Sequence, residues 1–227
     1  MSRAAYLLEP EGLVPYLEAW DLQRSLAGAV ARGELLDTVV LLEHAPVITL
    51  GRRTEAGEVH VPEGAGVEIV ETDRGGKSTY HGPGQLVCYP IFDLTRHGQD
   101  VKRYCRDLEE ALIRTLAPLG VDATRIEGLT GIWLEGPPRK IASIGIHISK
   151  WVTTHGYALN VDLDPAPFTD WITACGLEDA AFTTVAGELG RAVPLDEVKP
   201  HAVAALESVF DLALEPLPVQ AQTAGAR

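Results

Sequence analysis

Three places in this 227-residue chain carry side chains able to do chemistry. The first is the run Arg74-Gly75-Gly76-Lys77-Ser78-Thr79-Tyr80-His81-Gly82-Pro83-Gly84-Gln85, where glycines surround basic, hydroxyl and imidazole groups. Glycine lets a main chain turn with positive φ and lets a ligand approach its N–H groups, so this density of backbone freedom beside reactive side chains marks a ligand pocket. The second is Lys140, which opens Lys140-Ile141-Ala142-Ser143-Ile144-Gly145 just after a Gly136-Pro137-Pro138 turn. The third is Cys175, in Trp171-Ile172-Thr173-Ala174-Cys175-Gly176, where the following glycine lets a backbone N–H reach a substrate oxygen.

Each feature also has a plainer explanation. The glycines could build a long tight turn between strands, Lys140 could be a strand-end lysine reaching solvent, and a lone loop cysteine is often structural. A phosphate-binding loop is a weak reading of Gly76-Lys77-Ser78, because Glu71 stands where that motif requires a glycine. A nucleophilic thiol needs help, since an unperturbed cysteine is a few per cent thiolate at neutral pH and a neighbouring cation raises that fraction. His44, His81 and His147 are candidate bases, and Asn160 could orient one of them, so spacing alone leaves a Cys–His hydrolase open.

The elements that must position these groups follow from hydrophobic spacing. Apolar residues at 14, 17, 22, 26 and 30 predict a helix over 14–31, and Val101 through Leu119 predict a second, closed by Gly120. Cys105 falls on the apolar stripe of that second helix, and Cys88 falls inside a strand, so both read as inert core thiols. Strands are predicted at 38–42, 47–50, 67–70 and 85–91, which puts the glycine-rich loop between two of them at a sheet edge. Strands at 131–134, 141–149 and 157–163 follow, with a turn at Thr154-His155-Gly156, then a last helix over 196–212 and a disordered tail at 220–227. With no linker or repeat, residues 1–219 read as a single domain of α+β class.

The net charge of −13 argues against nucleic acid as a partner, because phosphate backbones need a basic surface. An acidic protein partner would need a local basic patch, which Arg52-Arg53, Arg74 with Lys77, Lys102-Arg103 or Arg139-Lys140 could supply. No apolar run is long enough for a membrane span, and no secretory segment opens the chain, so a cytoplasmic location is expected. Three cysteines without a Cys-x-x-Cys pair fit a reducing compartment, and neither they nor the seven histidines show metal-ligand spacing, so no metal is expected.

Taken in order, Glu43-His44-x-Pro46-Val47-x-Thr49-Leu50-Gly51, the Arg74–Gln85 run, Lys140-Ile141-Ala142-Ser143-Ile144-Gly145-Ile146, His155-Gly156-Tyr157-Ala158-Leu159-Asn160 and Cys175-Gly176 resemble the lipoyl(octanoyl) transferase family over roughly residues 38–185. The resemblance implies a mixed β-sheet with flanking helices, like the catalytic domain of biotin and lipoate protein ligases. It implies transfer of an octanoyl group from octanoyl-acyl carrier protein to a lysine on lipoyl domains, namely those of 2-oxoacid dehydrogenase E2 subunits and the glycine cleavage H protein. Carried over by motif, Cys175 is the nucleophile that forms an acyl-thioester, and Lys140 lowers its pKa and moves protons. Arg74, Gly75, Gly76, Lys77, Ser78, Thr79, Tyr80, His81, Ser143, Ile144, Gly145, Gly156, Tyr157 and Ala158 line the substrate pocket.

No cofactor is implied, because a thioester is already activated and needs no ATP. The chain departs from the family in having Ala174 where proline usually precedes the cysteine, and Thr183-Thr184 in place of Thr-Ser. Two rivals are an ATP-dependent lipoate or biotin ligase, which needs no thiol at 175, and a non-catalytic acyl-binding module, which needs neither Cys175 nor Lys140.

Overall fold

A computed structural model describes residues 2–173 and 181–218. In chain order its elements are β1 (Arg3–Leu8), β2 (Leu13–Val14), α1 (Tyr16–Ala31), β3 (Thr38–His44), β4 (Val47–Leu50), β5 (Glu68–Glu71), β6 (Thr79–His81), β7 (Gln85–Ile91) and α2 (Val101–Leu116). There follow β8 (Ala123–Thr124), β9 (Ile132–Leu134), β10 (Arg139–Ser149), β11 (Val152–Asn160), α3 (Ala166–Asp170), β12 (Ala181–Phe182), α4 (Val185–Leu189), α5 (Leu195–Phe210) and β13 (Leu212–Pro216). The main sheet is mixed, in the order β13-β1-β3-β7-β11-β10-β9-β8, and a small sheet, β5-β4-β6, stands beside it.

The central strands β3 and β7 read as unbroken apolar runs because both faces are covered. Side chains alternate across a strand, so Val39, Leu41, Leu86 and Cys88 pack with Leu108 and Leu112 of α2 and Leu206 of α5. Val40, Leu42, Val87 and Tyr89 point the other way, onto Ala19, Leu26 and Val30 of α1. Each large aliphatic side chain buried here contributes about 1.5–3 kcal/mol. Asp100 caps α2 by accepting the Arg103 N–H at 3.0 Å, and a 3₁₀ turn at Ala117–Leu119 leads to left-handed Gly120.

Four features differ from the expectations raised by the sequence. The β10–β11 hairpin turns at Lys150-Trp151, both at positive φ, with Ser149 opposite Val152. The expected turn residues Thr154-His155-Gly156 instead lie inside β11, where the N–H of His155 is held by Gln23 Oε1 at 2.6 Å. The glycine-rich run joins the two outer strands of the small sheet, β5 and β6, and its residues Thr79–His81 are β6 itself. It lies over β10, with Gly75 N–H donating to Ile146 O at 2.9 Å, and a Cβ on Gly145 would sit 2.9 Å from Gly75 O. Two terminal strands also appear: left-handed Asp211 ends α5, and β13 then pairs in parallel with β1, Arg3 opposite Leu212. Around that joint His97 stacks on Phe92 and meets Asp37 at 2.7 Å, while Arg3 donates to the carbonyls of Phe210, at 2.7 Å, and Arg96.

No helix among the described residues is long and apolar enough to cross a membrane. The expected tail at 220–227 lies outside the described residues.

Candidate active site

A cavity of about 790 Å³ opens between the glycine-rich loop and the paired strands β10 and β11, and reaches Cys105 on α2. Arg74, Gly75, Gly76, Lys77, Ser78, Thr79 and His81 form one wall, and Ser143, Ile144, Gly145, Gly156, Tyr157 and Ala158 another. Lys140 and Trp133 close the far side together with Leu129, Thr130 and Phe182. The pairing of Gly145 with Gly156 leaves a stretch of this hairpin bare of side chains, with Ile144 and Ile146 flanking it. Tyr80 is absent from the lining. Strand alternation in β6 turns its ring away from His81 and sets it edge-on to Phe168 and Trp171.

Lys140 is 5 % exposed, which discards the solvent-seeking reading of a strand-end lysine. Its register opposite β9 shifts between Lys140 and Ala142, a bulge of the kind that re-aims a side chain. The ammonium lies 5.2 Å from the ring centroid of Trp133, within reach of a cation–π attraction. Its backbone carbonyl accepts the N–H of Thr183 at 3.0 Å, and Phe182 pairs beside it in β12.

Cys175, with Ala174 and Gly176, lies outside the described residues. The segment that carries it is fixed at both described ends. Before it, Ile172 bridges to Val59 and Thr173 N–H donates to Glu58 O at 2.8 Å, while the Glu58 carboxylate holds Lys77 of the glycine-rich loop. After it, Ala181 and Phe182 pair with Arg139 and Lys140. Of the other thiols, Cys88 is buried in the core and burial pushes it up to about 12. Cys105 is half-buried, not fully on the core stripe as expected, and burial followed by the nearby Glu109 carboxylate raises its pKa. Neither is primed as a nucleophile.

A buried polar layer holds the glycine-rich loop in place. The Arg74 guanidinium donates to Thr49 O at 2.7 Å, to Thr49 Oγ1 and to Gly75 O at 3.1 Å. Asp73, one residue earlier, accepts from His155 Nε2 at 2.7 Å and has His147 Nε2 at 3.6 Å. His81 Nδ1 donates to Gln85 Oε1 at 2.7 Å, Gln85 donates to Asn160 Oδ1, and Asn160 Nδ2 donates to Thr183 O. This chain of bonds links the loop to the residue that holds the Lys140 backbone. His44 Nδ1 donates to Val14 O at 2.8 Å, which leaves Nε2 to accept from the Tyr89 hydroxyl.

Burial lowers the pKa of His44 to about 4, and burial also lowers those of His81 and His155, so these imidazoles are neutral. Of the three bases left open by spacing, His81 lines the cavity, His44 is committed on both nitrogens beneath it, and His147 stands beside Asp73. Asn160 bonds Gln85 and Thr183 and orients no histidine directly.

Of the buried polar atoms on lining residues, Thr54 Oγ1, Ser78 Oγ and Trp133 Nε1 have no partner among the described residues, and the Tyr157 hydroxyl meets only the Cys88 thiol. Such atoms cost about 1–3 kcal/mol each unless something else meets them, so their gathering round one cavity points to a ligand with polar atoms. Arg52, Arg53, Thr54, Leu129 and Trp133 were not singled out as pocket residues by sequence. Only the arginine pair had a signal, as a basic dipeptide. Trp133 reaches the cavity through β9–β10 pairing, which its local sequence does not encode. Among the described residues no cluster of His, Cys, Asp and Glu is arranged to hold a metal ion.

Comparison with known proteins agrees with this architecture. Residues 15–207 match the family described as lipoyl protein ligase A/B catalytic domain. The octanoyltransferase of Chloroflexus aurantiacus is 49% identical over 210 residues, covering 90% of this chain and 93% of that protein. The octanoyltransferase of Mycobacterium tuberculosis is 50% identical over 201 residues, covering 88% and 85%. Among solved structures, the bipartite lipoate protein ligase of Thermoplasma acidophilum superposes with a TM-score of 0.73 at 16% identity, over 100% of this chain and 91% of that one. A lipoate-protein ligase A bound with ATP gives 0.73 at 17% identity, over 100% and 93%. Biotin protein ligase from Aquifex aeolicus gives 0.53 at 12% identity, over 90% and 70%. These structural likenesses establish the mixed-sheet ligase fold, and the sequence relatives place the chain more narrowly: it belongs to the lipoyl protein ligase A/B catalytic domain family, among its octanoyltransferases.

Proposed function

We propose that this acyltransferase takes an octanoyl group from octanoyl-acyl carrier protein onto Cys175 and passes it to a lysine of a lipoyl domain. The acceptors are the lipoyl domains of 2-oxoacid dehydrogenase E2 subunits and the glycine cleavage H protein. The observation that carries this reading is the placement of Lys140, buried on the cavity wall and paired with Phe182, the lining residue that follows the Cys175 segment in the chain.

The chemistry balances with these two residues. The Cys175 thiolate, paired with the Lys140 ammonium, attacks the thioester carbonyl and forms a tetrahedral oxyanion. Ser78 Oγ and Trp133 Nε1 are the unpartnered donors available to it, and one well-aimed donor is worth about 2.7–4 kcal/mol. Collapse expels the pantetheine thiolate, which takes a proton from Lys140. The neutral acceptor lysine then attacks the Cys175 thioester, the departing thiolate is regenerated, and neutral Lys140 accepts the proton lost by the new amide nitrogen. No ATP enters, and no cofactor is needed. The flanking Val87, Ile144 and Ala158 give an apolar bed for a hydrocarbon chain.

Incubation with octanoyl-acyl carrier protein in the absence of ATP, followed by intact-mass measurement, tests the reading. A single octanoyl adduct that maps to Cys175 and vanishes in Cys175→Ser is expected. An adduct that forms only with free octanoate and ATP would replace this reading with the ligase, and binding without any adduct would replace it with the acyl-binding module.

A further inference from the structure

The rim of the cavity carries a second feature that acyl transfer at Cys175 and Lys140 does not use. Arg52, Arg53 and Thr54 are consecutive residues of the lining. Their backbone is pinned to the glycine-rich loop, with Arg52 N–H donating to Arg74 O and Arg53 N–H to Gly76 O, each at 3.0 Å, and Thr54 N–H donating to Gly51 O at 2.9 Å. The two arginine side chains are exposed.

Among the described residues every other arginine has a side-chain hydrogen bond or ion pair, and these two have none. That is unusual in a chain with 32 acidic and 19 basic residues. The acids nearest in sequence are turned elsewhere: Glu58 binds Lys77, and Glu55 lies 3.7 Å from the same ammonium. Next in the chain and on the same lining, Thr54 Oγ1 is buried and unpartnered.

Two planar forks and a hydroxyl on a fixed backbone suit a phosphate, whose oxygens accept paired N–H donors and an O–H. An acyl thioester carried on a pantetheine arm brings one: the phosphodiester at the base of the arm must remain outside while the acyl end enters the cavity. Resting on the proposed function above, we propose that Arg52, Arg53 and Thr54 bind the phosphate of the phosphopantetheine arm of the acyl donor.

Binding of two inert probes, S-octyl-4′-phosphopantetheine and S-octyl-pantetheine, isolates the phosphate from the chemistry. Calorimetry on the unmodified protein should show the phosphorylated thioether binding at least about tenfold more tightly, the scale of one or two charge-assisted hydrogen bonds. The advantage should fall to within about twofold of unity in Arg52→Gln/Arg53→Gln, shrink by about threefold in Thr54→Val, and weaken at 0.5 M salt, where exposed charges are screened. Equal binding of the two probes, or binding of neither while octanoyl-acyl carrier protein is still turned over, overturns the phosphate site and leaves acyl transfer standing. Equal probe binding with slower carrier-protein turnover in the double variant would assign the arginines to the carrier's acidic surface instead, which also overturns it. A retained phosphate preference without turnover of octanoyl-acyl carrier protein would sink the acyl-transfer reading and leave the anion site intact.

Discussion

Two histidine–carboxylate pairs in this molecule share a 2.7 Å contact and have different surroundings. His97 and Asp37 are both enclosed, and Asp37 also accepts the N–H of Asp93 at 3.0 Å. With the Phe92 ring stacked on His97 and Arg3 reaching across, that pair staples β1, the turn after β7 and the end of α5. His155 and Asp73 make the same bond, but Asp73 is 36% exposed and shares its second oxygen with His147. It immediately precedes Arg74, and His155 sits at a positive φ of 58° in mid-strand. An imidazole held by a carboxylate is therefore not in itself a sign of catalysis. What distinguishes the second pair is that it holds the loop forming one wall of the cavity.

The largest expected effect sets both pairs aside. Lys140→Met should lower acyl transfer by about 10³–10⁴-fold, the upper range for a lost proton-transfer group, and should raise the pH needed to alkylate Cys175. An alkylation profile identical to the unmodified protein would mean that another group activates the thiol, with His81 the first to examine.

Asp37→Ala should break the staple and lower unfolding free energy by about 1–3 kcal/mol, because it leaves the buried imidazole N–H without its acceptor. The surviving folded protein should keep its KM for the acyl donor. A changed KM at unchanged stability would erase the distinction between the two pairs.

Acid should act through the histidines beneath the cavity. His44 titrates near 6.5 when unfolded and about 4 when folded, so as pH falls below 6.5 the unfolded chain takes up the proton first. Stability is then full above pH 6.5 and declines toward pH 4, by about 3 kcal/mol from His44, with His81 and His155 shifted in the same direction. Asp73, held below its usual range chiefly by the His155 hydrogen bond, loses its contribution at lower pH still. A chemical-denaturation series from pH 7.5 to 4.5 measures this slope; a flat profile would mean that these imidazoles titrate alike in the folded and unfolded chain, and a rise in stability toward acid would mean that they are charged when folded.

Asp73→Asn is the mildest change and the sharpest test of the comparison. It should cost no more than about 1 kcal/mol of stability, since the carboxylate is partly solvated. It should nevertheless lower kcat/KM about tenfold by loosening the Arg74 loop, because small misplacements of positioning groups are amplified in rate. Destabilisation on the scale of Asp37→Ala, without a kinetic effect, would show that the second pair is also a staple.

Much of this arrangement was legible in sequence because its signals are local. The helices α1, α2 and α5 declare themselves by apolar spacing, and β3 and β7 by continuous hydrophobic runs. The glycine-rich loop stands out by composition alone. What escaped is non-local. The partnership of β1 with β13 joins residues about two hundred positions apart, and no local period encodes it. The Lys150-Trp151 turn has neither glycine nor asparagine, whereas His155-Gly156 imitates a turn while extending a strand. Tyr80 looked like a site residue because its neighbours are; the alternation of β6 turns it into the packing around Phe168. The isolation of Arg52 and Arg53 became visible only once every other arginine had found its partner.

The cation over Trp133 has an optical consequence. The indole is buried on the cavity wall with the Lys140 ammonium 5.2 Å from its ring centre, whereas Trp151 lies exposed at the hairpin tip. Under the proposed mechanism this indole is a fluorophore whose emission should respond to two events: entry of hydrocarbon, which makes its surroundings less polar and shifts the emission to the blue, and departure of a proton from the lysine beside it. With the remaining tryptophans at 20, 151 and 171 replaced by phenylalanine, acyl loading could be followed in stopped flow without any added label.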